Sequence, residues 1–331
     1  MTGVSTGANM GASRGANRGT NAPHVPVMLD EVLAALAPRA GAVYVDGTFG
    51  AGGYTRAILD KADCQVIAID RDESAIARAR GIDRLMPVHG AFGDVAAHLA
   101  ALGQGAVDGF VLDIGVSSMQ IDDPARGFSF AKDGPLDMRM DRSQGESASM
   151  VVNTWPEQAL ADIIWRYGEE RHARRIAAAI IRARAEKRIE TTLVLADLIA
   201  GAVPGGGKKY AIHPATRTFQ ALRIAVNGEL EQLERALEAS IEILKPGGRL
   251  VIVTFHSLED GIVKSFLRAH GPTQGGSRHR PETASVPALF TQPVRRALAP
   301  GDAETARNPR ARSAKLRWAV RSDAQNERSA A

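Results

Sequence analysis

Three aspartates fall where apolar runs end: Asp46 closes VYVD, Asp70 closes QVIAID and Asp113 closes VDGFVLD. Between the first two lies a turn carrying Gly47, Gly50, Gly52 and Gly53, then an apolar helical pattern. Asp70 stands 20 residues beyond Gly50. These residue types at this spacing suit a nucleotide. Glycine lets the backbone come close to a ligand, and a carboxylate closing the second strand accepts hydrogen bonds from ribose hydroxyls. Three carboxylates on one rim fit a ligand bringing ribose hydroxyls, an ammonium group and a sulfonium, and they repel a diphosphate. A GxGxxG dinucleotide fingerprint starting at Gly50 would need glycine at position 55, which is Thr55. An NAD-dependent oxidoreductase is therefore the disfavoured alternative on two counts. Each aspartate alone serves equally well as a strand-end turn former. Their coincidence at three strand ends carries the reading.

The elements that position them follow from periodicity. Strands are expected at Val43–Asp46, Gln65–Asp70, Leu85–His89 and Val107–Asp113, alternating with helices at Tyr54–Lys61, Glu73–Arg80 and Val95–Leu102. A short helix, Asp30–Ala37, precedes them. Such alternation gives an α/β fold with a doubly wound, mostly parallel sheet covered on both faces. The next convincing strand, Arg249–Phe255, is introduced by the turn Lys245–Gly248 and begins 136 positions after Asp113. One crossover needs far fewer residues, so a subdomain is inserted there. Its content reads helical, over 156–167, 169–187 and 192–202, and a helix over 228–244 returns the chain to the sheet. A last strand, Ala314–Val320, is expected as an antiparallel edge. The expected division is 23–122 with 214–321 for the nucleotide domain and 123–213 for the inserted helical domain. Residues 1–22 and 322–331 read as a disordered leader and tail.

The 331 residues carry a formal net charge of +4, which permits an acidic partner without requiring one. The single cysteine, Cys64, excludes a disulfide framework and a cysteine-rich zinc site, and a reducing cytoplasm fits. The eight histidines are scattered without metal-ligand spacing, so no metal is expected. No apolar run approaches a membrane span. Basic residues collect between Arg295 and Arg321, eight against two acids, where phosphate contacts are plausible. Aromatic residues make up only 5%, so a stacking platform for single-stranded RNA is not evident.

The pattern D-x-x-x-G-x-G from Asp46 to Gly52 is similar to the cofactor loop of methyltransferases acting on exocyclic amines. Longer blocks carry a more specific likeness. HVPVMLDEV (24–32), VDGTFGAGGYT (45–55), VLDIGVSSMQIDDPARGFSF (111–130), DGPLDMRM (133–140), YGEERHARRIA (167–177), HPATRTFQALRIAVNGEL (213–230), PGGRLVIVTFHSLED (246–260) and NPRARSAKLR (308–317) together resemble one family. It is the family of bacterial cytosine-N4 methyltransferases of small-subunit ribosomal RNA. The likeness spans roughly residues 24–321. It implies a Rossmann-like class I methyltransferase sheet with an inserted helical domain for substrate recognition. It implies S-adenosylmethionine as cofactor, and as substrate a decoding-site cytidine of 16S rRNA in the small ribosomal subunit. Matching positions imply cofactor contacts at Gly52, Gly53, Tyr54, Asp70, Phe92, Asp113 and Gln120. Tyr54 departs from the histidine expected there.

Methylating an exocyclic amine requires an aligned amine and hydrogen-bond acceptors for its N–H groups. Many amine methyltransferases place D/N-P-P-Y after the fourth strand. Here the chain reads Asp113-Ile114-Gly115-Val116-Ser117-Ser118, without the proline pair or the aromatic stacker. Asp113 is the first catalytic candidate, either accepting from the amine or holding the cofactor. Asp137 and Arg139 are further candidates to line the substrate pocket, unless they pair to order their own loop. For RNA contacts the candidates are His213, which would otherwise cap the following helix, with Arg217, His256, Arg310 and Arg312. Ser257 is expected as the cap of its helix and His256 as the substrate contact. A non-catalytic RNA-binding assembly factor keeping the same fold is the other alternative, and a homodimer is left open.

Overall fold

The computed structural model describes residues 26–204, 212–272 and 287–323. The expected leader and all but the start of the expected tail lie outside the described residues. In chain order the first half runs α1 (Leu29–Leu36), β1 (Val43–Asp46), α2 (Gly53–Lys61), β2 (Gln65–Asp70), α3 (Glu73–Ala79), β3 (Leu85–His89), α4 (Val95–Ala101), β4 (Val107–Asp113) and α5 (Ser118–Asp122). Helices α6 (Ala148–Thr154), α7 (Glu157–Gly168), α8 (Ala173–Glu186), α9 (Thr192–Ala202), α10 (Ala215–Asn227) and α11 (Glu229–Ile243) follow. The chain closes with β5 (Leu244–Thr254), α12 (Ser257–Ala269), β6 (Phe290–Thr291), α13 (Asp302–Arg307) and β7 (Lys315–Arg321).

The sheet order is β3-β2-β1-β4-β5-β7-β6. Strands β1 to β5 pair in parallel, and β7 runs antiparallel to β5 and β6. Strand β4 sits centrally with six of its seven residues buried, as its unbroken apolar run requires. One face of the sheet packs Val95, Leu99, Leu233, Leu237 and Val263 from α4, α11 and α12. The other packs Val32, Leu36, Ile58 and Leu59 from α1 and α2. The chain reverses winding direction between β1 and β4, and ligands of such sheets bind outside the strand ends at that point.

A second core lies within the helices between β4 and β5. Leu136, Val151, Leu160, Ile164, Ile176, Ile180, Leu195 and Ile199 are buried together there. Helix α10 follows the boundary expected at residue 213, yet its Ala215, Phe219 and Leu222 belong to this helical core.

Helices α5, α6 and α13 and strand β6 are not among the sequence expectations, and three expected elements differ. The helix expected over 169–187 begins only at Ala173, because Glu169 takes a left-handed φ of 49° and ends α7. Strand β5 starts at Leu244 rather than 249, with an irregular register against β4 between Val107 and Gly109. Strand β7 is antiparallel as expected but is not the edge, since the two-residue β6 covers it.

Candidate active site

A cavity of about 360 Å³ opens at the carboxyl ends of β1, β2 and β4. The turn after β1 forms its floor. Gly52 holds a left-handed φ of 77°, and a Cβ there would lie 2.7 Å from the Phe49 ring, so only glycine fits. Gly53, Tyr54, Asp70, Phe92, Asp113 and Gln120 line the cavity, whereas Gly52 shapes the turn without lining it. The Tyr54 side chain is buried and its hydroxyl donates to the Val27 carbonyl. This ties the segment before α1 to the cavity wall and leaves the residue's backbone at the turn.

The strand-end carboxylates divide in role. Asp46 is buried, outside the cavity lining, and accepts from Thr55 Oγ1 at 2.7 Å and from the Thr48 amide at 3.1 Å. It fixes the turn, so two of the three aspartates, not all three, face the ligand space. Burial pushes the Asp46 carboxyl up to about 6. Asp70 accepts from the Gly50 amide at 2.7 Å and from the Asp72 amide at 2.8 Å, which holds both loops and fixes its own orientation. Each oxygen keeps a further lone pair for a hydroxyl donor. Burial raises the Asp70 carboxyl as well. Asp113 is raised further than Asp46. Burial pushes it up to about 8, and the carboxylates of Asp46 and Glu259 add to the shift. Its Oδ1 is buried with no hydrogen-bond partner. Leaving a buried acceptor unpaired is costly.

Gln120 does structural work from the cavity wall. Its Oε1 accepts from the Ser117 amide at 3.1 Å, completing a capping box on α5, and its Nε2 donates to Asp72 Oδ2 at 3.0 Å. Asp72 also receives Nη1 of Arg126, a buried pair that sequence reasoning missed. Arg126 Nη2 then donates to the carbonyls of Arg139 (3.0 Å) and Met140 (2.8 Å). From the opposite side Asn227 donates to the Met138 carbonyl and accepts from the Met140 amide, each at 2.8 Å. The segment 138–140 is thus clamped, and Met140 is held against the cavity.

Asp137 and Arg139 do not line this cavity. Arg139 Nε and Nη2 lie 2.7 and 3.1 Å from the two oxygens of Asp137, and Arg142 adds a contact at 3.4 Å. The pair orders its own loop, and Arg139 borders a separate polar cavity shared with Arg71 and Asn227. His213 precedes the N-cap Pro214 of α10, its Nδ1 accepting from the Ala215 amide at 3.2 Å. His256, expected as a substrate contact, is instead the N-cap of α12, and Ser257 donates to Glu169 rather than capping. Histidine is an uncommon cap, which hid this role. Its Nε2 lies 2.8 Å from Glu259 Oε1. Arg310 lines the cavity mouth and pairs with Asp122 at 2.6 Å. Arg217 and Arg312 are exposed, the former 3.8 Å from Glu170 and the latter in the turn before β7. Arg223 and Phe255 also line the cavity, and neither was singled out by the sequence.

A glycine turn after β1, an anchored carboxylate after β2 and an orphaned carboxylate after β4, on a sheet with an antiparallel seventh strand, define a class I methyltransferase. The residues fit S-adenosylmethionine: Asp70 for its ribose, the backbone of the turn for close approach, and Asp113 for positive charge. Residues 21–322 match the MraW methylase family, and the chain belongs to it. Its methyl donor is S-adenosylmethionine. The chain is 57% identical over 310 residues to the Ribosomal RNA small subunit methyltransferase H of Paramagnetospirillum magneticum, covering 91% of this chain and 96% of that protein. The protein of the same name from Nitrobacter winogradskyi is 56% identical, with 91% of each chain covered. Among solved structures, an rRNA methylase from Streptococcus thermophilus aligns over 89% of this chain and 94% of its own, at 10% identity and a TM-score of 0.39.

Proposed function

We propose that this protein methylates the exocyclic N4 amine of a decoding-site cytidine in the 16S rRNA of the small ribosomal subunit. The family and the names of its relatives support small-subunit rRNA as substrate. The observation that carries the amine reading is the Asp113 carboxylate, which lines the cavity and has one oxygen, Oδ1, without a hydrogen-bond partner. When bound, S-adenosylmethionine supplies a methyl carbon on a cationic sulfur, which leaves as a neutral thioether when N4 attacks. Cytosine N4 is a poor nucleophile because its lone pair is delocalised into the ring. Asp113 accepts an N4–H hydrogen bond, aligns the amine and takes the proton that becomes acidic once the new C–N bond forms. Asp70 grips the ribose, and the Asp46–Thr55 pair keeps the turn in shape around it. The inserted helical core, with α10, presents the RNA, and Arg310 at the cavity and the exposed Arg312 beside it in sequence meet phosphates.

Incubating the protein with labelled S-adenosylmethionine and unmethylated small subunits tests the reading. Nucleoside analysis is expected to find label in N4-methylcytidine at one position. Absence of label in the RNA, with subunit binding intact, would favour a non-catalytic assembly factor instead.

A further inference from the structure

Four aromatic residues among those described line the cavity, and the methyl donor has use for only one accessible ring. Phe49 and Tyr54 are buried in the turn after β1. Phe92 and Phe255 are half-buried and reach the cavity from opposite ends of the strand rim, the first after β3 and the second after β5. S-adenosylmethionine brings one flat ring, the adenine, on the far side of the ribose from its sulfur. With the ribose at Asp70 and the sulfur toward Asp113, adenine falls on the β3 side, beside Phe92. Phe255 is left at the other end without a partner in the donor. It stands next to Asp113: Val253 pairs with Asp113 across β4 and β5, and the Ile114 amide donates to the Val253 carbonyl at 2.9 Å. A Cβ on Gly115 would come 3.8 Å from the Phe255 ring, so the ring lies against the loop after β4, the loop that has no aromatic residue of its own from Asp113 to Ser118. The ring is also held in place. One oxygen of the fully buried Glu259 accepts from the amides of Phe255 at 2.7 Å and His256 at 3.2 Å, and the ring packs against the cluster containing Val251, Val253 and Leu316. Such support before any ligand arrives is what a stacking surface requires.

We propose that Phe255 is the stacking surface for the target base, which leaves its place in the RNA and lies on this ring with its exocyclic amine toward Asp113 and the methyl donor. This rests on the N4 reading above. A base has to leave its stack before its amine can reach the methyl carbon. Docking of the subunit comes first. Stacking on Phe255 then raises the fraction of docked complexes whose base is extruded, and it fixes the ring plane for in-line attack. Loss of the ring is therefore felt in kcat at saturating subunits and not in subunit affinity.

The test is single-turnover methylation of unmethylated small subunits at saturating subunit concentration, with donor affinity measured by calorimetry. Phe255→Leu keeps an apolar side chain on the core and removes the aromatic face. Its rate is expected to fall roughly 10–100-fold, as for the loss of one base–aromatic stack, with donor and subunit affinities within about threefold of wild type. Phe255→Tyr restores an aromatic face and is expected to return the rate to within about threefold of wild type. A ring that only fills the core predicts the opposite order, because leucine is an apolar filler and a tyrosine hydroxyl there needs a partner. Phe255→Met makes the same comparison should the leucine variant not fold. A wild-type rate in the leucine or methionine variant overturns the proposal, as does a tyrosine variant no faster than they are. Donor affinity falling in step with the rate also overturns it, because the ring would then hold the donor. Failure of the N4 reading is distinct: the wild-type protein itself would then form no N4-methylcytidine.

Discussion

Asp113 and Asp70 divide the work of the cavity, and each has its own signature. Asp113 is pushed up to about 8 by burial, so it is largely protonated at pH 6.5 and largely ionised at pH 9. The methyl donor carries net positive charge and favours the ionised form. Donor affinity is therefore expected to tighten on the order of tenfold between pH 6.5 and 8.5, as a proton and the donor compete for one buried carboxylate. Titration calorimetry would show this slope and proton release on binding, and Asp113→Asn would flatten it. A pH-independent affinity in the wild type would contradict the role. Stability moves the other way. The folded carboxyl holds its proton more tightly than the unfolded one. Its contribution is thus complete below the unfolded value near 4 and lost as pH rises through about 8. Asp113→Asn should consequently raise the melting temperature more at pH 9 than at pH 5. For Asp70, replacement by Ala removes the carboxylate proposed to accept from the ribose and releases the Gly50 and Asp72 amides it holds. Donor binding is expected to weaken roughly 10–100-fold, the range for hydrogen bonds to charged groups. Unchanged affinity by calorimetry would remove the ribose assignment.

Among the elements, the loop 138–140 depends on partners distant in sequence. Met138 adopts a left-handed φ of 61°, a conformation that side chains seldom take. Arg126 and Asn227 hold it there through the carbonyls of Met138, Arg139 and Met140 and the Met140 amide. Asn227→Ala is expected to destabilise the protein by about 1–3 kcal/mol, leaving buried backbone groups unpaired. It is also expected to lower the methylation rate at least tenfold as Met140 leaves the cavity wall. Thermal melts and single-turnover assays on small subunits check both, and wild-type values in either would refute the clamp. Such elements also mark where sequence is legible. Strand Val107–Asp113 and helix Thr192–Ala202 have the bounds their pattern predicts, because burial and chain-local pattern agree there. The stretch Glu169–His172 reads as helix from propensity alone. Tertiary contacts override it: Glu170 is buried and Glu169 meets Ser257 of α12. At two residues, β6 is too short to leave a pattern. In the cavity, the glycine turn and Asp70 were readable because one βαβ unit contains them. Arg223, Phe255 and Met140 come from three other segments, and only the fold brings them to the same wall.

Among the described residues, polar contacts join the hydrophobic clusters on the sheet to the helical core. The sheet core supports the donor site, while the helical core supports α10 and hence Arg223 and Asn227. The bridges between them are specific rather than greasy: Arg126 to Asp72, Arg71 Nη1 to the Asn227 carbonyl, and Arg223 to Glu229 at the head of α11. Buried ion pairs of this kind cost several kcal/mol when one partner is lost, but contribute little compared with a packed apolar interface. A defect inside one core should then be felt weakly by the other. Leu160 of α7 is fully buried in the helical core, far in sequence from every donor-binding residue. Leu160→Ala is expected to cost about 2–5 kcal/mol, the transfer loss plus the cavity left behind. If the cores are separable, that loss falls on the helical part. Hydrogen exchange would show faster opening in α7, α8 and α10 with the central strands unchanged. Donor affinity would stay within about threefold of wild type, while methylation of small subunits would drop at least tenfold because α10 no longer holds its place. Equal loosening of β1, β4 and β5 would instead show that the two cores unfold as one unit.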